Sequence, residues 1–107
     1  MASKNSEGKK ISYNGKEHIV IDLEKFDFSK VKIAFFAAGS EVAEKCAHVA
    51  AEKTIVIDNS KYFRMNNEVP LIVAEVNAGD LKNHQNIISN PNCSTIQLML
   101  PLSLIHI

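Results

Sequence analysis

Residues 31–60 read VKIAFFAAGSEVAEKCAHVAAEKTIVIDNS, and the changes of pattern inside this stretch decide the fold. VKIAFFAAG is a nearly continuous apolar run closed by Gly39, as expected of a strand buried on both faces. In SEVAEKCAHVAAEK the residues Val42, Cys46, Val49 and Ala50 recur at helical spacing, and Ser40 stands where an N-cap is expected. TIVIDNS is again an apolar strand, stopping at Asp58-Asn59-Ser60. Strand, helix and strand in this order predict a right-handed βαβ unit with a parallel sheet.

Outward from this unit the same reading extends to the rest of the chain. Before Lys30 two short β-like runs, KKISYN and EHIVID, flank Asn14-Gly15, which predicts a hairpin ribbon beside the main sheet. After Ser60, PLIVAEVN and NIISN read as two further strands, with AGDLKNH a turn or short helix between them. The class is α/β. At 107 residues, with no internal repeat or low-complexity linker, one domain or part of one is expected.

Charge and composition narrow the partners. Twelve basic residues balance twelve acidic ones and no basic block stands out beyond Lys9-Lys10, which points away from nucleic acid and from anionic membrane surfaces. MASKNSEGKK has no apolar h-region and no apolar run reaches the length of a membrane span, so a cytoplasmic protein is expected. The two cysteines, Cys46 and Cys93, fit neither a disulfide framework nor a zinc site and are read as free thiols; no metal is expected.

In open parallel sheets ligands sit beyond the carboxyl ends of the strands, so chemistry is sought there. Those ends are Ala37-Ala38-Gly39-Ser40, Asp58-Asn59-Ser60 and Ser89-Asn90-Pro91-Asn92-Cys93, and they should converge. Ala38 and Gly39 lack bulk where a cofactor approaches the backbone, and Ser40 opens a helix whose N-terminus suits a phosphate. In SNPNCSTIQ, Pro91 keeps Asn90 out of the helical region and Asn92 or Ser94 is a good N-cap, so Cys93 should open a helix. Unpaired N–H groups and the helix dipole stabilise a thiolate at such a position, while the alternative for Cys93 is a small buried residue. Arg64, the single arginine of the chain, either grips phosphate or carboxylate or is a solvated surface group.

FFAAGSEVAEK, VIDNSKYFRMNNEVPLIVAEVN and IISNPNCSTIQ, in this order and spacing, closely resemble the aspartate-semialdehyde dehydrogenases, from near the chain start to about Leu102. The resemblance implies a partial Rossmann-like nucleotide-binding domain with a mostly parallel sheet. Residues 1–102 would form it and 103–107 an atypical tail. It further implies NADP-dependent reductive dephosphorylation of aspartyl phosphate to aspartate semialdehyde and phosphate, on the way to lysine, methionine and threonine. Cys93 matches the nucleophile that forms a thioacyl enzyme, Asn92 the neighbour that orients substrate, and Arg64 the phosphate-holding arginine. Ala38, Gly39, Ser40 and Asn59 match the cofactor loop and strand end. Ser3, Asn5 and Ser6 match the segment at the adenosine ribose and its phosphate, where many relatives carry Arg in place of Asn5 and where Lys4 would supply charge. A homodimer or larger assembly is implied for the full-length parent.

The family's first βα unit, with its Gly-rich turn, and its substrate domain have no counterpart here. None of His18, His48, His84 or His106 lies in a matching motif for the acid/base histidine. The chain by itself is therefore expected to be inactive. The competing readings are a non-catalytic nucleotide-binding or subunit-interaction module and a related acyl-phosphate reductase such as N-acetyl-glutamyl-phosphate reductase.

Overall fold

The strand-helix-strand unit of residues 31–60 is present in a computed structural model of the protein, which describes residues 4–105. Strand β3 (Ile33–Phe36), helix α1 (Ser40–Ala51) and strand β4 (Ile55–Asp58) follow one another, and β5 (Ile87–Ser89) completes a three-stranded sheet in the order β3-β4-β5. Both pairings are parallel, with Ala34 opposite Val56, Phe36 opposite Asp58, Val56 opposite Ile87 and Asp58 opposite Ser89. The antiparallel ribbon β1 (Lys10–Tyr13) and β2 (Lys16–Ile19) stands apart with every strand residue exposed. Positive φ at both Asn14 (51°) and Gly15 (72°) gives the turn twist that suits a two-residue hairpin.

One face of the sheet carries the core. Ala34, Phe36, Val56 and Ile87 are buried against α1, together with Phe28 and Phe63. The helix meets this bulky surface with Ala43, Ala47, Ala50 and Ala51, small residues that let its backbone come close. The expected stripe is thereby corrected: of Val42, Cys46, Val49 and Ala50 only Ala50 is buried, whereas Val42 and Cys46 flank the contact and Val49 is exposed. The expected N-cap is also corrected. Gly39 occupies that position at φ +96°, a conformation costly for any other residue, and α1 starts at Ser40 with no side-chain cap bond. At the other end Asn86 donates from Nδ2 to the Ala51 carbonyl at 2.9 Å, satisfying one of the helix's last acceptors.

PLIVAEVN does not form the expected strand. Leu71 makes a single parallel bridge to Ser89, after which the chain turns into the one-turn helix α2 (Ala74–Asn77). The side chain of Asn77 explains the turn: Oδ1 accepts from the Val73 N–H at 2.8 Å and Nδ2 donates to the Leu71 carbonyl at 3.0 Å, using backbone groups that a longer ladder would need. AGDLKNH continues as a 3-10 helix over Ala78–Asn83.

Helix α3 (Cys93–Ile105) follows β5, is apolar nearly throughout, contains Pro101 and buries no residue fully. The second face of the sheet is likewise only partly covered, with Ile33 and Phe35 exposed and Ile55, Ile57 and Ile88 half-buried. Among the described residues no helix is long and apolar enough to cross a membrane.

Candidate active site at the carboxyl edge of the sheet

The three polar strand ends do converge, because the parallel order β3-β4-β5 sets their carboxyl termini side by side. Hydrogen bonds continue past the strands: Asn59 N–H donates to the Phe36 carbonyl at 2.8 Å, and Asn90 N–H to the Asp58 carbonyl at 2.8 Å. Asp58 is fully buried and occupied by its own turn, accepting from the Ser60 hydroxyl at 2.6 Å and the Ser60 N–H at 3.2 Å. That turn leads to Arg64, whose guanidinium lies back across the sheet edge.

Arg64 is half-buried and fixed. Nε donates to the Asn90 carbonyl at 3.0 Å and Nη2 to the Asn59 carbonyl at 3.1 Å, while Asn90 Nδ2 donates to Asn59 Oδ1 at 2.8 Å. One edge of the guanidinium is thus taken up by the ends of β4 and β5. Nη1 has no protein partner among the described residues and is available to an oxyanion.

Three residues beyond Asn90 stands Cys93. Pro91 is buried and anchors the turn, and Asn92 Oδ1 accepts from the Ser94 N–H at 2.8 Å, making Asn92 the N-cap of α3. Cys93 is the first helical residue and is exposed, so the small-buried-residue alternative does not describe it. Cys46 is half-buried and packs at the margin of the core.

At the β3 end, Ala38 and Gly39 are exposed and the space where a Cβ of Gly39 would stand is empty to 4 Å. With no side chain capping α1, the N–H groups of its first turn are open to an acceptor. Asn5 and Ser6 lie in a 3-10 turn over Lys4–Ser6. Lys4 and Asn5 line a cleft of about 340 Å³ whose opposite wall is Val42, Lys45 and Cys46 of α1, so this segment lies along the helix flank. Ser3 and His106 lie outside the described residues. The remaining histidines are engaged elsewhere: His18 beside Tyr13 with ring centroids 6.4 Å apart, His48 edge-on to Phe63 at 5.5 Å, and His84 accepting through Nδ1 from the Asn86 N–H at 3.0 Å. Among the described residues no group of three or more His, Cys, Asp or Glu is arranged to hold a metal ion.

Sequence reasoning did not single out Asn90 as a functional residue. Its only signal was an asparagine at the end of each of two neighbouring strands, Asn59 and Asn90, which becomes a contact once the strands pair in register.

Against known proteins, residues 1–84 match the family described as semialdehyde dehydrogenase, NAD binding domain. The aspartate-semialdehyde dehydrogenase of Shewanella sp. (strain DB6705) is 47% identical over 110 residues, covering 99% of this chain and 32% of that protein. A crystal structure of aspartate semialdehyde dehydrogenase II from Vibrio cholerae, complexed with ASA, superposes with a TM-score of 0.88 at 47% identity, over 97% of this chain and 35% of that one. An aspartate semialdehyde dehydrogenase from Candida albicans, solved with NADP, shares the fold at a TM-score of 0.72 and 24% identity over 95% of this chain and 37% of that one. The chain therefore spans about a third of the length of the curated relatives it matches.

Proposed function

Since the chain belongs to the semialdehyde dehydrogenase family through its NAD-binding domain, we propose that an enzyme carrying it converts aspartyl phosphate to aspartate semialdehyde and phosphate with NADP as cofactor. What supports this reading is that an exposed, helix-opening thiol, a fixed guanidinium and an open helix N-terminus all follow strand ends on the same edge of the sheet.

Cys93 acts as the nucleophile. Its sulfur attacks the acyl carbon of aspartyl phosphate, a C–S bond forms, the bond from the acyl carbon to the bridging oxygen breaks, and that oxygen leaves with the phosphate. At the first position of α3 the thiol is exposed, so an incoming acyl carbon can reach the sulfur. Asn92 uses Oδ1 on the Ser94 N–H, which leaves Nδ2 to orient the thioacyl oxygen. Arg64, held on one edge by two carbonyls, presents Nη1 to the leaving phosphate.

A nicotinamide cofactor suits the residues present. Gly39 leaves an uncluttered approach to the backbone, and Ala38, Gly39 and Ser40 open α1 toward a phosphate-bearing group, with Asn59 beside them. Bound there, the cofactor supplies the hydride that brings the thioester to the aldehyde level. Cys93 sulfur leaves when the aldehyde forms. Ser3, Asn5 and Ser6 are assigned to the adenosine ribose and its phosphate, and Lys4 adjacent to Asn5 supplies positive charge that favours NADP over NAD. The enzyme is read as a cytoplasmic homodimer or larger assembly.

The test is steady-state reduction of NADP by the intact enzyme with aspartate semialdehyde and phosphate. Turnover that requires phosphate and disappears in Cys93→Ala, with nucleotide binding retained, is the expected result. Full activity in Cys93→Ala contradicts the assignment.

A further inference from the structure

We propose that Asn90 is a positioning residue whose side-chain amide sets how Arg64 recognises the phosphate oxyanion. Asn59, Asn90 and Arg64 form a closed ring in which each residue is bonded to the other two: Asn90 Nδ2 to Asn59 Oδ1 at 2.8 Å, Arg64 Nε to the Asn90 carbonyl at 3.0 Å, and Arg64 Nη2 to the Asn59 carbonyl at 3.1 Å. Nε and Nη2 share one rigid edge of a planar group, so both bonds hold only if the two carbonyls keep their separation. The hydrogen bond that Asn90 Nδ2 donates to Asn59 Oδ1 is the side-chain link across those same two residues. Asn90 N–H, bonded to the Asp58 carbonyl at 2.8 Å, ties the ring to β4.

The consequence falls on Arg64 and not on the thiol. Cys93 depends on the cap made by Asn92 to Ser94, a bond that shares no atom with the ring. Without the Asn90 amide, Arg64 keeps its two backbone acceptors, but the carbonyls lose the side-chain link between them, so the edge that holds the guanidinium is less rigid and order must be restored when phosphate binds. Asn90 thus acts through Arg64 and needs no contact with substrate.

This inference rests on the roles given above to Arg64 and Cys93. In the intact enzyme, Asn90→Ala should raise the KM for phosphate about tenfold, the scale of one lost hydrogen bond. The kcat should stay within about twofold, and the rate at which iodoacetamide alkylates Cys93 should be unchanged. A fall in kcat at unchanged phosphate KM, or no change in either, overturns the inference. Phosphate binding read directly by ³¹P line broadening, also expected to weaken about tenfold in the variant, separates the two readings: an enzyme without turnover whose phosphate affinity still depends on Asn90 refutes the proposed reaction and leaves the positioning role standing. Should Asn90→Ala fail to fold, the wild-type protein decides, because the ring requires an Arg64 Nε–H signal protected from solvent exchange. A rapidly exchanging signal contradicts it.

Discussion

Replacing Arg64 with methionine removes every donor of the guanidinium while keeping a flexible side chain of comparable length. Two bonds disappear, one to the partly buried Asn90 carbonyl and one to the more exposed Asn59 carbonyl. A hydrogen bond from a charged donor contributes about 1.5–3 kcal/mol, and solvent discounts the exposed one, so a loss of about 2–3 kcal/mol is expected. For a domain of roughly this size each kcal/mol moves the melting temperature by about 4–8 °C, giving a drop on the order of 10–20 °C. Thermal unfolding followed by circular dichroism measures it. Arg64→Lys should recover less than half of the loss, because an ammonium cannot span both carbonyls with a planar edge. A melting temperature for Arg64→Met within about 2 °C of wild type would refute the reasoning, since solvated surface residues behave in that way.

Other outcomes follow from the same structure. Gly39→Ala meets no neighbouring atom, so its cost is that of the backbone at φ +96° alone, about 1–3 kcal/mol by denaturant titration. A cost near zero would show that the turn relaxes. Iodoacetamide on the folded chain should label Cys93, exposed at a helix start, well before the half-buried Cys46; peptide mapping that finds Cys46 labelled first removes the site assignment. The 107-residue chain assayed alone should give no measurable turnover, because the described histidines are engaged with Tyr13, Phe63 and Asn86, and orientation of cofactor against a thioester accounts for about 7–11 kcal/mol of barrier lowering. Cys93-dependent turnover by that chain would contradict this.

The strand-helix-strand core was legible because a strand of a parallel sheet carries a continuous apolar run and a helix a periodic one, and residues 31–60 contain both in sequence, although the face of β3 that carries Ile33 and Phe35 is exposed in this chain. The helix N-terminus at Cys93 was legible for a local reason, since Pro91 and Asn92 act on their immediate neighbours. Features set by distant partners were not. The buried face of α1 consists of alanines, chosen by the bulk of Phe36, Val56 and Phe63 opposite them, while the more hydrophobic Val49 points to solvent. PLIVAEVN has the composition of a strand but is folded back by one asparagine side chain. Arg64 and Asn90, 26 positions apart, become partners only after β4 and β5 pair.

The central claim is that Cys93 carries the acyl group, and trapping that group tests it most directly. The intact enzyme is incubated with aspartate semialdehyde and NADP in the absence of phosphate, quenched in acid, and mapped by mass spectrometry. An aspartyl thioester on the peptide containing Cys93, discharged when phosphate is added before the quench, is the expected result. An acyl group on Cys46 or any other residue, or turnover with no acyl group on Cys93, contradicts the account.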